Sequence, residues 1–558
     1  MTTLRNGGRI LVDNLVAQGC DRIFHVPGES FLAVLDALHD VPEIDLVTCR
    51  QEGGAAFMAC ADGTMTGKPG VCFVTRGPGA TNASIGVHVA MQDSQPMLLF
   101  IGDVDRSMRD REGFQEVDFP AMLAPLAKWS TRIEDARRIP EYVARAWNVA
   151  ISGRPGPVVI ALPEDMLLDE VEAVDRPQVH RAQQQMSPLD ALEIAEAVAR
   201  ADRPIAIIGG AGWNAWASDE MCRFSEAHGL PVAGAFRRQD AMPNAFPTWA
   251  GNLGYGPNPK LVERIKAADL LLVIGARLGE ATTDGYSLIT PDHPGQRLIH
   301  IHPDPDEIGR VYAPDELSIC ASVDFATQKL TYATTDMMPD GDVPLRKHAA
   351  AQAHADWLDW STPRPRDGVT LDLGQCVAAM RERLGPDDAI ICNGAGNFSG
   401  WWHRYWHYGA QPSQLAPTSG AMGYGTPAAV AAALRQPGKL AVALAGDGDF
   451  MMNGQELATA IQHDVNMLVL IIDNGAYGTI RMHQEREFPA RLSGTTLHNP
   501  DFAALARAYG CWAETVVKTD EFAPALDRAL AQTGVRLLHL KTDVEFITPG
   551  TTITAIRG

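Results

Sequence analysis

Asp447 stands between Gly446 and Gly448, and Asn474 follows 27 positions later at the end of the apolar run VNMLVLIIDN. KLAVALAGDGD reads as a buried strand that stops at an acidic turn. GQELATAIQHD then reads as a helix, and VNMLVLIIDN as a second, parallel strand. In a βαβ unit both strands finish on the face where open α/β sheets bind ligands, so Asp447 and Asn474 are expected near each other. Glycines on both sides of Asp447 let the backbone approach a ligand and leave amide N–H groups for phosphate oxygens. A carboxylate, an amide oxygen and a backbone carbonyl suit Mg2+, which takes hard oxygen ligands and shares them with phosphates. Two readings stay open on these residues alone: a diphosphate–Mg2+ site, or a structural acidic turn.

Other residue types with chemistry to offer follow strand-like runs. Glu52, in LVTCRQEGGAAF, is expected in the first turn of a helix, where a carboxylate also serves as a favourable charge at the helix dipole. Arg76, in VTRGPGATN, offers a guanidinium fork to a carboxylate or acyl phosphate; an internal ion pair with Glu29 or Glu52 is the other reading. His25 and His88 are expected in the core or behind the site.

The elements that must position these residues alternate strand and helix throughout, which calls for an α/β protein with mainly parallel sheets. DRIFHVPG, IDLVTCR, GVCFVTRGPG, PMLLFIG and GPVVIALP are the strands of a first domain, residues 1–171. A polar, proline-bearing stretch at 172–190 reads as a linker, followed by a middle domain at 190–334 with glycine turns at 209–212 and 275–279. An Ala- and Asp-rich patch at 335–368 marks the next boundary, and a third domain covers 369–545. The formal charge of -21 argues against nucleic acid or an anionic membrane as partner. Nine scattered cysteines without a CxxC pair read as reduced thiols, and no run has the length of a membrane helix. A cytoplasmic protein is expected.

Gly446-Asp447-Gly448 with Asn474 resembles the motif of thiamine diphosphate (ThDP) enzymes, and the whole chain is similar to acetohydroxyacid (acetolactate) synthase large subunits. GPGATN, GFQEVDFPAML, SGRPGPVVIALPEDM and GDGDFMMNGQELATA carry that likeness. The resemblance implies three domains: pyrimidine-binding, middle Rossmann-like and diphosphate-binding. It implies ThDP and Mg2+ as cofactors, with Asp447, Asn474 and the Ala476 carbonyl on the metal. Gly446, Gly448, Asp449, Phe450, Gly396 and Asn397 would cradle the diphosphate. Glu52 would activate the cofactor's pyrimidine, the Gly420 carbonyl would accept from its amino group, and Met422 would support its bent shape. Gln115, beside Phe114, would line the acceptor side, and Glu29 would reach the reacting carbon as a proton relay. The site would form across a homodimer, or a dimer of dimers. The implied reaction removes CO2 from a 2-oxo acid and adds the remaining carbon unit to a second carbonyl compound.

Several positions depart from the synthase pattern. Glu164 replaces a lysine, Arg76 replaces a serine, His483 falls near a pocket tryptophan, and RLGEATTDGYS at 277–287 differs from the flavin-binding segment. FAD or ADP in the middle domain is therefore left open. The alternatives are a lyase or hydrolase of a 2-hydroxyacyl compound or cyclic diketone, and a flavin-dependent 2-oxo acid oxidase. Ile480 and the lack of paired histidines near Arg76 speak against a simple pyruvate decarboxylase.

Overall fold

The computed structural model describes residues 4–292, 295–336 and 343–558. A short antiparallel ribbon pairs β1 (Leu4–Asn6) with β8 (Glu170–Glu172). Between them in sequence lie β2 (Arg22–His25), β3 (Asp45–Thr48), β4 (Gly70–Val74), β5 (Met97–Asp103), β6 (Trp129–Arg132) and β7 (Pro157–Pro163). These six form a sheet in the order β3-β2-β4-β5-β7-β6, and every pair in it is parallel. β4, β5 and β7 are buried along their whole length, as expected of parallel strands covered by helices on both faces.

A second six-stranded sheet holds β9 (Pro204–Ile208), β10 (Val232–Gly234), β11 (Trp249–Asn252), β12 (Leu270–Ile274), β13 (Arg297–His302) and β14 (Leu317–Cys320). Its order is β11-β10-β9-β12-β13-β14. The third holds β15 (Ala389–Asn393), β16 (Gln414–Leu415), β17 (Leu440–Gly446), β18 (Met467–Asp473), β19 (Trp512–Val516) and β20 (Val535–Lys541), ordered β16-β15-β17-β18-β20-β19. Three consecutive α/β sheets match the sequence expectation.

The chain packs as two compact units. The first comprises Met1–Ala182, Pro417–Gly438 and Phe450–Met467; the second comprises Gln183–Ala416, Lys439–Asp449 and Leu468–Gly558. In the first, helix Gly425–Arg435 lies on helix Glu52–Thr66, and Arg435 closes the contact through Asp62 and Asp21. Asp62 is buried, so the guanidinium balances a carboxylate that burial alone would push towards its neutral form. In the second unit, Gln239 N–H donates to Gln414 Oε1 at 2.8 Å, and Asn244 and Tyr408 exchange two backbone-directed bonds at 2.9 Å.

Two local expectations are corrected. Asp447 does not sit in a turn but opens helix Asp447–Asn453 directly after β17. The helix expected over GQELATAIQHD is broken into a 3-10 turn at Gly454–Glu456 and a helix at Leu457–Gln462, because Gly454 is pressed against the Phe450 ring. In the patch at 335–368, residues 337–342 lie outside the described residues, while Val343–Trp360 forms an 18-residue helix. Its alanines favour that state in spite of a weakly amphipathic pattern.

Candidate functional site

Because the first sheet is parallel, all its strands end on one edge. Glu29 follows β2, Glu52 follows β3, Arg76 follows β4, Gln115 lies in the loop after β5, and Glu164 follows β7 directly. Glu52 opens helix Glu52–Thr66, whose N-cap Gln51 accepts the Gly54 N–H through its side chain. Asn82 Nδ2 donates to Glu52 Oε2 at 2.9 Å, which fixes the carboxylate without a cation. Behind this turn lies Glu456, fully buried. Its Oε1 accepts the N–H of Gln51 at 2.9 Å and that of Arg50 at 3.2 Å, and its Oε2 accepts the Thr459 hydroxyl at 2.6 Å. A Cβ on Gly54 would come within 2.6 Å of Glu456 Oε1, so only glycine allows this approach. Burial raises the Glu456 carboxyl, and these donors oppose the shift.

Arg76 is the centre of a second cluster. It donates from Nη2 to Glu29 Oε1 at 2.9 Å, from Nη1 to Glu164 Oε2 at 2.8 Å, and from Nε to the Phe114 carbonyl at 3.2 Å. Of the two readings of Arg76, the structure shows the internal ion pair, with Glu29 and Glu164 rather than with Glu52. The bond to Phe114 draws in Gln115, which has a left-handed φ of 62° and lies against Gly77. His25 is buried as expected, and burial holds its imidazole down at about 4. His88 is exposed, not core: its helix, Pro78–Asp93, turns Val87 and Ala90 inward instead.

The loop that carries Gly420 and Met422 belongs to the same unit. Asp93 accepts the N–H groups of Thr418 and Ser419 and the Thr418 hydroxyl at 2.8–2.9 Å, which fixes the loop's start. Gly420 has φ 71° with open space where a Cβ would be, and Met422 is half-buried. Phe450, expected on the cofactor, is buried with its ring against Gly454, so its side chain serves the core.

In the second unit β17 and β18 are neighbours, and Asp447 and Asn474 follow their ends. Asn474 Oδ1 accepts the Ala476 N–H at 3.1 Å, and Ala476 bridges to Thr496. Asn499 was not foreseen. Its Nδ2 donates to Asp447 Oδ2 at 2.7 Å and to Asp473 Oδ1 at 2.8 Å, holding two carboxylates together. His539 Nε2 and Lys541 Nζ each lie 2.8 Å from Asp473 Oδ2. Burial resists ionisation of Asp473, yet these three partners hold it well below the usual carboxylate range. Asp447 is pushed up to about 6, first by burial and also by the facing Asp473. The residues that sequence reading missed here carry no local signal; the Asp473-Asn474 doublet was the one hint.

Asp449 is buried and braces the adjoining loop: its Oδ1 accepts the Ala395 N–H at 3.3 Å, and a Cβ on Gly394 would lie 2.1 Å from its Oδ2. Asn397 exchanges bonds of 3.0 Å with Thr479, and Gly396 has no room for a side chain beside Phe398. Asn397 and Asn474 share the wall of a small cavity of about 30 Å³, room for little more than a water. Gly446 and Gly448 are tight against Phe398 and Tyr477.

Among the described residues no cluster of three His, Cys, Asp or Glu side chains is arranged for a metal. A Mg2+ ion would depend on Asp447, the Asn474 amide and a backbone carbonyl, a donor set it accepts. The donor set fits on charge as well, since Asp447 faces a second buried carboxylate across Asn499 and is short of a counter-cation. A Cβ on Gly210 would lie 1.9 Å from the Gly275 carbonyl, and the Trp213 indole donates to the Gly209 carbonyl at 2.8 Å, so both glycine turns of the middle domain are occupied in packing on each other. Ile480 and His483 are exposed on helix Gly478–Glu487.

Comparison with known proteins gives three matches to family models: thiamine pyrophosphate enzyme, N-terminal TPP binding domain, at 5–122; its central domain at 192–330; and its C-terminal TPP binding domain at 394–540. Among curated relatives, the acetolactate synthase isozyme 2 large subunit of Escherichia coli is 30% identical over 96% of this chain and 96% of its own. The acetolactate synthase large subunit of Corynebacterium glutamicum is 30% identical over 94% of this chain and 84% of its own. That of Parasynechococcus marenigrum is 31% identical over 90% and 82%. With both TPP-binding halves and the central domain matched in order, and relatives aligned almost end to end, the chain belongs to the thiamine pyrophosphate enzymes of the acetolactate synthase large-subunit type.

Proposed function

We propose that this protein is a ThDP- and Mg2+-dependent carboligase that removes CO2 from a 2-oxo acid and joins the remaining carbon unit to a second carbonyl compound. The observation that carries this reading is the Asp447–Asn499–Asp473 arrangement at the ends of β17 and β18, in which Lys541 and His539 pair with Asp473 while Asp447 keeps a buried carboxylate held by the Asn499 amide and the Gly448 N–H. Likeness to acetolactate synthase large subunits supports it.

In this reading Asp447, Asn474 and the Ala476 carbonyl hold Mg2+, while the backbone around Gly446, Gly448 and Asp449 and the Gly396-Asn397 turn hold the diphosphate. When bound, ThDP supplies a carbon centre that accepts the electron pair left by departing CO2. Glu52, oriented by Asn82, exchanges a proton with the pyrimidine ring, and the Gly420 carbonyl accepts from its amino group. Met422 supplies apolar support. Glu29 moves a proton at the reacting oxygen, with Arg76 fixing its carboxylate, and Gln115 lines the acceptor side. Glu52 and Asp447 belong to different units, and we take the working form to be a cytoplasmic homo-oligomer, dimer or tetramer, whose sites are shared between copies.

The test is NMR of carbon-labelled pyruvate and larger 2-oxo acids with the protein, ThDP and Mg2+. Labelled CO2 together with a labelled ligation product, both lost without ThDP, is the expected result. Untouched 2-oxo acids in the presence of demonstrably bound ThDP would overturn the proposal.

A further inference from the structure

We infer that Glu29, Arg76 and Glu164 form a closed, net-negative cluster that selects a neutral carbonyl acceptor, an aldehyde or ketone without a carboxylate, over a second 2-oxo acid. This rests on the carboligase reading above and names the acceptor class for that same site.

Arg76 is only 8% exposed, and each of its three nitrogens already donates, to Glu29, to Glu164 and to the Phe114 carbonyl. A guanidinium engaged in this way is a poor receptor for an incoming carboxylate, which would have to displace a resident one of equal charge. The two acids are the exposed members, Glu29 at 64% and Glu164 at 37%, so the cluster presents its negative side outward. One positive and two negative groups leave a net charge of −1 at the edge where Glu52 and Gln115 also lie. A carboxylate approaching it meets repulsion; a neutral carbonyl does not.

Donor and acceptor differ in how they experience that charge. In the donor the C1–C2 bond breaks, CO2 leaves as a neutral molecule and its electron pair stays on C2, so the repulsion is relieved. C2 then bonds to the acceptor's carbonyl carbon, and the acceptor oxygen takes a proton. In the product C2 is a carbonyl again, the electron pair left by CO2 now forms the new carbon–carbon bond, and the proton on the acceptor oxygen comes from solvent. The step is redox-neutral and yields a 2-hydroxy ketone. An acceptor carboxylate would remain beside Glu29 and Glu164 to the end, raising every state after binding.

The test supplies the holoenzyme with carbon-labelled pyruvate as donor and equal concentrations of acetaldehyde and unlabelled pyruvate as acceptors, and measures CO2, acetoin and acetolactate separately. The expected acetoin-to-acetolactate ratio is about tenfold or more, falling as salt screens the cluster. E164Q and E29Q should each move the ratio towards acetolactate by roughly fivefold, through a lower KM for the anionic acceptor. A structural defect would lower both products together and leave the ratio unmoved. CO2 release with acetolactate as main product, or a ratio unchanged in both variants, overturns this inference while the carboligase reading stands. No CO2 from any 2-oxo acid overturns both.

Discussion

The carboxylate of Glu456 accepts the backbone N–H of Gln51 at 2.9 Å, one residue before Glu52, so a fully buried acid fixes the turn that presents the proposed proton-exchanging acid. Replacing it with Ala leaves the amides of Arg50 and Gln51 without this acceptor, a loss of about 1–3 kcal/mol. Glu456→Ala should lower Tm and weaken ThDP binding, whereas Glu456→Gln, which keeps one oxygen acceptor, should lose less of both. Equal losses in the two variants would contradict a positioning role.

Glu52→Gln keeps the shape and the bond from Asn82 but removes the proton-accepting oxygen pair. Turnover should fall roughly 100-fold or more. Quenching of tryptophan fluorescence by ThDP should persist. Unchanged turnover would remove Glu52 from the chemistry.

Asn499 tests the metal side without touching a proposed ligand. Its amide spans Asp447 and Asp473, and Asn499→Ala leaves the two carboxylates facing each other unbridged. The Mg2+ concentration needed for ThDP binding should change by about 10–100-fold, the usual range for partners that orient a ligand. An unaltered Mg2+ titration would count against the assignment of Asp447.

Acid should release the C-terminal helix. Arg557 donates to both oxygens of Glu485, tying helix Ile553–Arg557 to helix Gly478–Glu487, and this partner holds the Glu485 carboxyl down at about 2. A depressed carboxyl contributes stability that is fully present above its unfolded value and is lost as pH falls through its folded one. The clamp should therefore hold at pH 4 and open towards pH 2. Hydrogen exchange of residues 553–557 checks this, and Arg557→Ala should show the open behaviour already at neutral pH.

Much of this architecture was legible in the chain. Runs such as VVIALP are apolar on both faces, which only a covered parallel strand explains, and strand ends locate Glu52, Asp447 and Asn474 along one edge of their sheets. Most partnerships were not legible; in the Arg76 cluster only the ion pair with Glu29 was one of the two readings. Arg76 and Glu164 are 88 positions apart, and Asn499 lies 52 from Asp447, separations at which no periodic pattern acts. Helix Val343–Trp360 was hidden for another reason: its apolar residues do not form a stripe, so it depends on alanine's backbone preference rather than on an amphipathic face. His88 misled because a histidine among apolar neighbours on a helix faces either way, and its direction is settled by which neighbours turn inward.

The three-way lock on Arg76 also bears on descent. Losing either glutamate alone strands part of a buried cation, and losing the arginine alone leaves two acids in repulsion, so each single step is costly while a concerted change is not. Such a triplet should be inherited or lost together, and whether all three residues co-occur among relatives checks it. The expected pattern is that relatives carry all three residues or none, so that a buried cation here comes with both of its acids or not at all.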